Sequence, residues 1–283
     1  MRIFESIAEM QQAGEGWRCE GKKITLVPTM GYLHEGHLEL MRAIRSHGDV
    51  LVTSIFVNPA QFGPGEDFER YPRDLERDTR MAAEAGTDIA FIPLVKEMYS
   101  EGYQTFVHVT EVTAPLCGRS RPAFFRGVAT AVAKLFNTVR PHAAIFGEKD
   151  FQQLVTIRRM VQDLNMNIEI IGHPTVREAD GLAMSSRNAY LTPEQRRKAV
   201  RLNRSLREAQ TLVQKGEKTG EAILNKVREV LAEDDDVRID YVQLCDPSTL
   251  QEVTRIAAST LLALAVHVGV ARLIDNAILN PSA

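Results

Sequence analysis

Residues 24–37 read ITLVPTMGYLHEGH, and the fold prediction starts from this stretch. Its first four residues form a short apolar run typical of a buried strand, and residues 38–46 show the apolar spacing of a helix. Between the two lies a turn that contains Gly31, and His34 and His37 come just where the helix begins. The stretch therefore predicts a strand, a loop and a helix, with the loop at the carboxyl end of the strand.

The same alternation continues along the chain. Further apolar runs of strand length lie at residues 50–57, 89–92, 143–146 and 168–171. Segments with helical spacing lie between and after them, at 75–85, 128–139 and 154–164. This pattern predicts an α/β fold, a Rossmann-like parallel sheet with helices on both faces. Because ligands of such sheets bind beyond the carboxyl ends of the strands, a site is expected in the loops that begin at Pro28, Asn58, Gly147 and Pro174.

The last third of the chain has a different pattern. Thr192, Pro193 and Gln195 match the N-cap, the first position and the capping-box position of a helix, which is predicted to run to about Lys215. A second helix, an alternating strand and a buried strand are predicted at 221–232, 237–244 and 260–268. These elements indicate a small α+β domain with antiparallel strands.

The composition fits one large or two modest globular domains, because 44% of the 283 residues are apolar and 25% are charged. We place a boundary near residue 176, which gives a Rossmann-like domain at 1–176 and a smaller C-terminal α+β domain at 177–283. Lys and Arg total 34 against 37 for Asp and Glu, and this balance of -3 argues against a nucleic-acid partner. A small-molecule substrate is expected instead.

The cysteines and the apolar runs bear on the compartment. The three cysteines lie far apart and form no CxxC pair, which suits reduced thiols. Glu5 and Glu9 interrupt any apolar region of a signal peptide, and the apolar run at 261–266 is too short to cross a bilayer. A cytoplasmic protein without a membrane segment is expected.

The two histidines of HEGH are the strongest candidate site. His34 and His37 are three residues apart at a helix start, so they lie on one face. Free backbone N–H groups and the positive end of the helix dipole favour a phosphate there, and Gly36 lets an anion approach the backbone. The alternative is that one histidine caps the turn and the other is solvated. A zinc site is disfavoured, because HEGH is not HExxH and no third ligand lies nearby.

Residues 146–153, FGEKDFQQ, form a second strand end followed by a helix. Lys149 places a positive charge where a phosphate contact can form, and it can stabilise a developing negative charge without proton transfer. A cation in the first helical turn opposes the helix dipole, which implies some other benefit. Asp150 and Gln153 also match the D-x-x-Q capping pattern, so capping explains both without a ligand.

Two further loops carry polar groups. Ser185 and Ser186 stand beside Arg187, a combination that suits an anion clamp but is also ordinary in a loop. Asn58 and Gln61 follow the second predicted strand, where their amides either orient a polar substrate or close a turn. Neither segment is decisive alone.

Taken together, these segments resemble the signatures of the pantoate–β-alanine ligase (pantothenate synthetase) family, in the same order. The matching segments are PTMGYLHEGH, FVNPAQF, YPRDLERD, RPAFFRGVAT, FGEKDFQQL, DGLAMSSRNAYL and RLIDN. The HxGH motif also resembles the wider nucleotidyltransferase superfamily that contains class I aminoacyl-tRNA synthetases. MSSR stands where those synthetases carry a KMSKS loop.

The resemblance implies an ATP-dependent ligase of coenzyme A precursor biosynthesis, which condenses pantoate with β-alanine to pantothenate. The pantoate carboxylate attacks the α-phosphorus of ATP to give pantoyl-adenylate and pyrophosphate. β-Alanine then attacks the acyl carbon, and AMP leaves. Mg²⁺ is expected with the ATP phosphates, and the family implies a homodimer.

The resemblance also assigns residues. It implies that ATP is bound by Met30, Gly31, His34, His37, Gly147, Glu148, Lys149, Asp150, Val176, Met184, Ser185, Ser186 and Arg187. Gln61 and Gln153 are assigned to pantoate, and Gln61 also to β-alanine. The catalytic candidates are His34, His37 and Lys149, with His37 as the proton donor of the family. No residue is assigned to a metal.

Other classes of protein remain as alternatives. A nucleotidyltransferase that moves AMP onto a phosphate-bearing small molecule keeps HxGH, but Gln61 and Gln153 then have no role. A non-catalytic nucleotide-binding module is disfavoured because HEGH and GEKD are both intact. An aminoacyl-tRNA synthetase is disfavoured because the chain is acidic overall and has no room for a separate basic domain.

Overall fold

The computed structural model describes residues 1–233 and 236–281, which form two compact units. The first unit comprises Met1–Thr110, Arg121–Glu148 and Gln153–Pro174. The second comprises Glu111–Ser120, Lys149–Gln152 and the described part of Thr175–Ala283. A boundary near residue 176 assigns the segments 111–120 and 149–152 to the first domain, whereas compactness groups them with the second unit. The division into independent domains stays a prediction.

Six parallel strands form the sheet of the first unit, in the order β1-β4-β3-β2-β5-β6. They are β1 (Arg2–Phe4), β2 (Ile24–Thr29), β3 (Val50–Ile55), β4 (Ile89–Phe91), β5 (Ala143–Gly147) and β6 (Glu169–His173). Strands β3 and β4 lie on one side of β2, whereas β5 and β6 lie on the other. The winding direction therefore reverses between β2 and β5, which is where open parallel sheets bind ligands.

Helices cover both faces of this sheet. In chain order they are α1 (Ile7–Cys19), α2 (Glu35–Ile44), α3 (Leu75–Glu84), α4 (Val95–Met98), α6 (Phe124–Val139) and α7 (Phe151–Asp163). The short helix α5 (Cys117–Ser120) belongs to the second unit. Because side chains alternate along a strand, Leu26 packs in a core with residues of α1, α6 and α7, while its neighbour Val27 packs with α2 and α3. The predicted α/β fold class is confirmed.

The second unit contains an antiparallel sheet in the order β7-β8-β9. Its strands are β7 (Val237–Cys245), β8 (Thr260–Val268) and β9 (Ala271–Leu279), and its helices are α8 (Pro193–Ala199), α9 (Arg201–Gln214) and α10 (Gly220–Leu231). Leu262 and Leu264 of β8 pack with Leu206 of α9 and Val227 of α10. This is the small α+β structure that the sequence predicts.

The single long helix predicted after Thr192 is wrong, because two helices occupy that segment. Its capping box is confirmed: Gln195 N–H donates to Thr192 Oγ1 at 3.2 Å, and Thr192 N–H donates to Gln195 Oε1 at 3.0 Å. Val200 lies between α8 and α9, and its backbone N–H donates to the carbonyls of Arg196 and Lys198. Across residues 1–233 and 236–281, no helix has the length and apolar character needed to span a membrane.

Candidate active site

The loop after β2 has a left-handed backbone that a buried carboxylate holds in place. Gly31 has φ +80° and Tyr32 has φ 48°. Asp78 of α3 accepts the N–H of Tyr32 at 2.6 Å and that of Leu33 at 2.7 Å, although only 1% of Asp78 is exposed. Burial raises the pKa of Asp78 above its ordinary value, and the two N–H donors act in the opposite direction. A Cβ on Gly31 would lie 2.9 Å from Asp78 Oδ2, so this position requires glycine.

His34 and His37 come together at the start of α2. His34 occupies the N-cap position, and its backbone N–H donates to Nδ1 of His37 at 3.3 Å. The two ring centroids are 4.0 Å apart. Because Nδ1 of a neutral His37 accepts this bond, the ring proton is on Nε2, which is therefore a donor. This bond fits the alternative in which a histidine caps the turn, and phosphate binding by the pair stays a prediction.

The loop after β3 carries a hydrogen-bond chain with a fixed direction. Tyr99 O–H donates to Asn58 Oδ1 at 2.7 Å, and Asn58 Nδ2 donates to Gln61 Oε1 at 3.1 Å and to the Gly127 carbonyl at 3.0 Å. Burial raises the pKa of Tyr99, so its hydroxyl stays protonated. The oxygen of Gln61 is thus occupied, and its Nε2 contacts the sulfur of Met30. The predicted residues Met30 and Gln61 therefore lie side by side.

Helix α6 and the chain before it support this loop. A Cβ on Gly127 would lie 2.1 Å from the carbonyl oxygen of Ala60, so the helix approaches the loop closely only because residue 127 is glycine. Arg121 donates to the Gln61 carbonyl at 3.1 Å and forms an ion pair with Glu66. The segment RPAFFRGVAT thus serves to fix Gln61.

The loop after β5 begins next to the loop after β2, since β5 and β2 are neighbours in the sheet. Gly147 ends β5, and Glu148–Asp150 form a 3-10 turn before α7. Lys149 Nζ lies 3.6 Å from Asp150 Oδ2, and its carbonyl accepts from Asn276 Nδ2 at 3.0 Å. Asp150 directly precedes α7, as a cap residue should, but the proposed capping by Gln153 stays a prediction.

The segment around MSSR is a folded hairpin. Met184 N–H donates to the Val176 carbonyl at 3.0 Å, and Arg177 pairs with Ala183 in an antiparallel bridge. Ser185 Oγ accepts the N–H of Arg187 at 3.3 Å and so caps the 3-10 turn Ser186–Tyr190. Ser185 therefore has a structural role in addition to any contact with a ligand.

The predicted site residues are divided between the two units. Those in the first unit are Met30, Gly31, His34, His37, Gln61, Gly147, Glu148 and Gln153. Those in the second unit are Lys149, Asp150, Val176, Met184, Ser185, Ser186 and Arg187. Sequence reasoning missed Asp78, Tyr99 and Arg121, which act through buried contacts. Asp78 lies in the segment YPRDLERD and Arg121 in RPAFFRGVAT. The family resemblance of these two segments was the signal that could have identified them.

Within the first unit, the loop after β2 leads into the N-terminus of α2, a position that suits an anion. Among the described residues, no group of three or more His, Cys, Asp or Glu side chains is arranged to hold a metal ion.

The family model for pantoate-beta-alanine ligase matches residues 2–278. The chain belongs to this family. It is 64% identical over its full length to the whole pantothenate synthetase of Syntrophobacter fumaroxidans, and 59% identical to that of Desulfatibacillum aliphaticivorans, with 99% of this chain and 100% of the relative covered.

Solved structures agree with this assignment. The pantothenate synthetase of Thermus thermophilus is 46% identical, with a TM-score of 0.94 and coverage of 99% of this chain and 100% of that one. A pantoate-beta-alanine ligase of Francisella tularensis, complexed with beta-gamma ATP and beta-alanine, is 33% identical, with a TM-score of 0.81 and coverage of 98% and 97%. The family resemblance and the fold predicted from the sequence are confirmed.

The predicted activity is confirmed with the family. The protein is a ligase that forms an amide bond between pantoate and β-alanine at the expense of ATP. The alternative prediction, AMP transfer onto a phosphate-bearing acceptor, is not favoured.

Proposed function

We propose that this ligase activates pantoate as pantoyl-adenylate at the loops that follow β2, β3 and β5. The observation that carries the proposal is the histidine pair at the start of α2, whose ring centroids are 4.0 Å apart and in which His37 Nδ1 accepts the His34 N–H. Attack of a carboxylate on the α-phosphorus of ATP needs alignment and charge neutralisation more than it needs a base. A fixed N–H donor at the positive end of a helix supplies both.

In this proposal His34 and His37 bind the α- and β-phosphates, with His37 as the proton donor. Met30 and Gly31 contact ATP from the same loop. Lys149 neutralises the charge that accumulates as pyrophosphate leaves. The remaining proposed ATP contacts are Gly147, Glu148, Asp150, Val176, Met184, Ser185, Ser186 and Arg187.

We assign the substrate acid to the two glutamines. Gln61 Oε1 is occupied by Asn58 Nδ2, so Gln61 offers a donor, which matches the carboxylate and hydroxyl oxygens of pantoate. Gln153 lies in the first turn of α7 and is the second proposed pantoate contact. Gln61 is also the proposed contact for β-alanine, which attacks the acyl carbon in the second step.

Three further features belong to the proposal. Mg²⁺ fits with the ATP phosphates, because Mg²⁺ bound together with ATP is held largely by phosphate oxygens and water. It would neutralise phosphate charge there. We also propose a homodimer and a cytoplasmic location, which the family likeness and the reduced cysteines support.

The adenylate route is tested by isotope exchange. Labelled pyrophosphate should enter ATP in a reaction that needs pantoate but not β-alanine, because the first half-reaction is complete and reversible by itself. In the full reaction, ¹⁸O from the pantoate carboxylate should appear in AMP, since the attacking oxygen stays on phosphorus. Exchange that strictly requires β-alanine, together with AMP free of ¹⁸O, excludes pantoyl-adenylate.

The histidine assignment is tested by His37→Ala, with His47→Ala as its control. His47 is an exposed histidine just beyond the other end of α2. His37→Ala should lower kcat by roughly 10²–10³-fold, as loss of one preorganised donor does, whereas His47→Ala should leave it unchanged. A folded His37→Ala enzyme with normal turnover removes His37 from the mechanism.

A further inference from the structure

Two neighbouring residues of β9, Asp275 and Asn276, contact two separate segments of the second unit. Both belong to RLIDN, a segment to which the reaction assigns no role. They lie on a strand that is fully paired with β8, where Leu264 faces Asp275 and Ala263 faces Asn276. The two residues therefore have a rigid backbone.

Asp275 fixes the hairpin that leads to MSSR. Its carboxylate receives two parallel hydrogen bonds from the guanidinium of Arg177, at 2.7 and 2.9 Å, and only 3% of Asp275 is exposed. Arg177 also donates to the Gly181 carbonyl at 3.1 Å, so one side chain joins the first arm of the hairpin and its turn to β9. A bidentate pair of this kind restricts orientation more than a single bond does.

Asn276 fixes the segment that contains Lys149. Its Nδ2 donates to the Lys149 carbonyl at 3.0 Å, across 127 residues of sequence. Its own backbone N–H donates to Asp275 Oδ1 at 2.8 Å. The carboxylate that binds Arg177 is thus linked directly to the residue that binds Lys149.

We infer that Asp275 and Asn276 are positioning residues for adenylation, which hold the Lys149 segment and the Val176–Arg187 hairpin in one geometry for ATP. This inference rests on the proposed function, because it takes Lys149 and the hairpin as ATP contacts. A buried ion pair contributes little net stability after its desolvation cost, so the gain from Asp275 lies in fixing an arrangement. Such alignment is worth large factors in rate when two groups must meet one substrate.

The same strand contains an internal comparison. Arg272, also in RLIDN, forms an ion pair with Asp240 of β7 at 2.7 and 3.0 Å. Asp240 accepts in addition from Ser120 Oγ at 3.4 Å. This pair resembles that of Asp275 and Arg177 in chemistry, but it contacts neither proposed ATP segment, so Asp240→Asn is a matched control.

The experiment measures the two half-reactions separately. Asn276→Ala should lower pantoate-dependent pyrophosphate exchange about 10-fold, while the reaction of supplied pantoyl-adenylate with β-alanine stays near the wild-type rate. Asn276→Asp, which has the same shape but places a carboxylate against the Lys149 carbonyl, should show the same loss, and Asn276→Gln should recover part of it. Asp275→Asn should raise the KM for ATP, and Asp240→Asn should alter thermal stability alone.

A double-mutant cycle with Lys149→Ala decides whether Asn276 acts through Lys149. If it does, Asn276→Ala has little further effect on exchange once Lys149 is alanine. Full additivity, or normal exchange in every Asn276 variant while Lys149→Ala is slow, overturns the inference and leaves the proposed function intact. Normal exchange in Lys149→Ala overturns the proposed role of Lys149 itself.

Discussion

Replacing Asp78 with alanine is expected to lower both stability and the rate of adenylation. In the wild-type protein its carboxylate accepts the N–H groups of Tyr32 and Leu33. Alanine removes this acceptor from a loop whose backbone is left-handed at Gly31 and Tyr32. His34 follows this loop directly, so the loss should reach the proposed phosphate site.

The size of the effect follows from the burial of the two donors. A buried N–H that loses its acceptor costs about 1–3 kcal/mol. The bond from Leu33 is buried, whereas the bond from Tyr32 is part-buried, so water replaces the second acceptor more easily. The variant no longer has the unfavourable desolvation of the buried carboxylate, which offsets part of this loss of stability. We therefore expect a loss of about 2–3 kcal/mol in the free energy of unfolding.

Urea unfolding measures this loss, and pantoate-dependent pyrophosphate exchange measures the effect on the site. Asp74→Ala is the control, because Asp74 caps the same helix by accepting the N–H of Arg77 at 3.1 Å. Loss of that cap should cost about 1 kcal/mol without changing exchange, whereas Asp78→Ala should slow exchange at least about 10-fold. Equal stability of the two variants, together with normal exchange in Asp78→Ala, refutes the argument.

The pKa of Asp78 gives the same prediction a pH dependence. Its folded value is raised above the ordinary 3.8, so the unfolded chain ionises first as the pH increases. Below that ordinary value the carboxyl is protonated in both states and carries no penalty. Stability from this group therefore falls as pH rises through 3.8 and levels off once the folded carboxyl ionises. Asp78→Asn should abolish this pH-dependent part of the stability. The assignment is contradicted if plots of the free energy of unfolding against pH are parallel for the wild type and Asp78→Asn.

Two further predictions concern packing and thiol reactivity. Gly127→Ala should lower the free energy of unfolding by about 1–3 kcal/mol and reduce activity, because its Cβ would lie 2.1 Å from the Ala60 carbonyl oxygen. Gly16→Ala is the control, since nothing lies within 4 Å of a Cβ at this position of α1. It should raise the free energy of unfolding, measured in urea, by about 0.5–1 kcal/mol. With a thiol reagent at pH 8, the exposed Cys19 should be labelled in the folded enzyme. Cys245 should react only after unfolding, because burial raises its pKa to about 12. Rapid labelling of all thiols in the folded enzyme contradicts this prediction.

The sequence was sufficient for elements that have a regular apolar pattern. Strands β2 to β6 and helices α2, α3, α6 and α7 follow from apolar runs whose residues enter a core on one face or the other. The one-turn helices α4 and α5 were not predicted. Strand β9 was not predicted, because buried polar residues such as Asp275 interrupt its alternation. Strand β1 has three residues, and α1 buries only Met10 and Gly14, so neither carries a strong local signal.

The candidate site likewise has features that the sequence predicted and features that it did not. The adjacency of His34 and His37 follows from helical spacing, and the structure confirms it. The contacts that fix the loops could not be predicted from the sequence. Asp78 and Leu33 are 45 residues apart, and Tyr99 and Asn58 are 41 residues apart. Contacts of that separation depend on the tertiary fold, and no local pattern encodes them.

The chain from Tyr99 through Asn58 to Gln61 has a consequence for ligand discrimination. Each member passes on a fixed polarity: a hydroxyl donates, an amide oxygen accepts, and the next amide nitrogen donates again. The side chain of Gln61 therefore offers an N–H donor, which a ligand oxygen with lone pairs can accept and a ligand N–H cannot. If Gln61 binds pantoate as proposed, an analogue with an ammonium group in place of the contacted oxygen sets donor against donor, and Gln61 cannot flip without breaking its bond to Asn58.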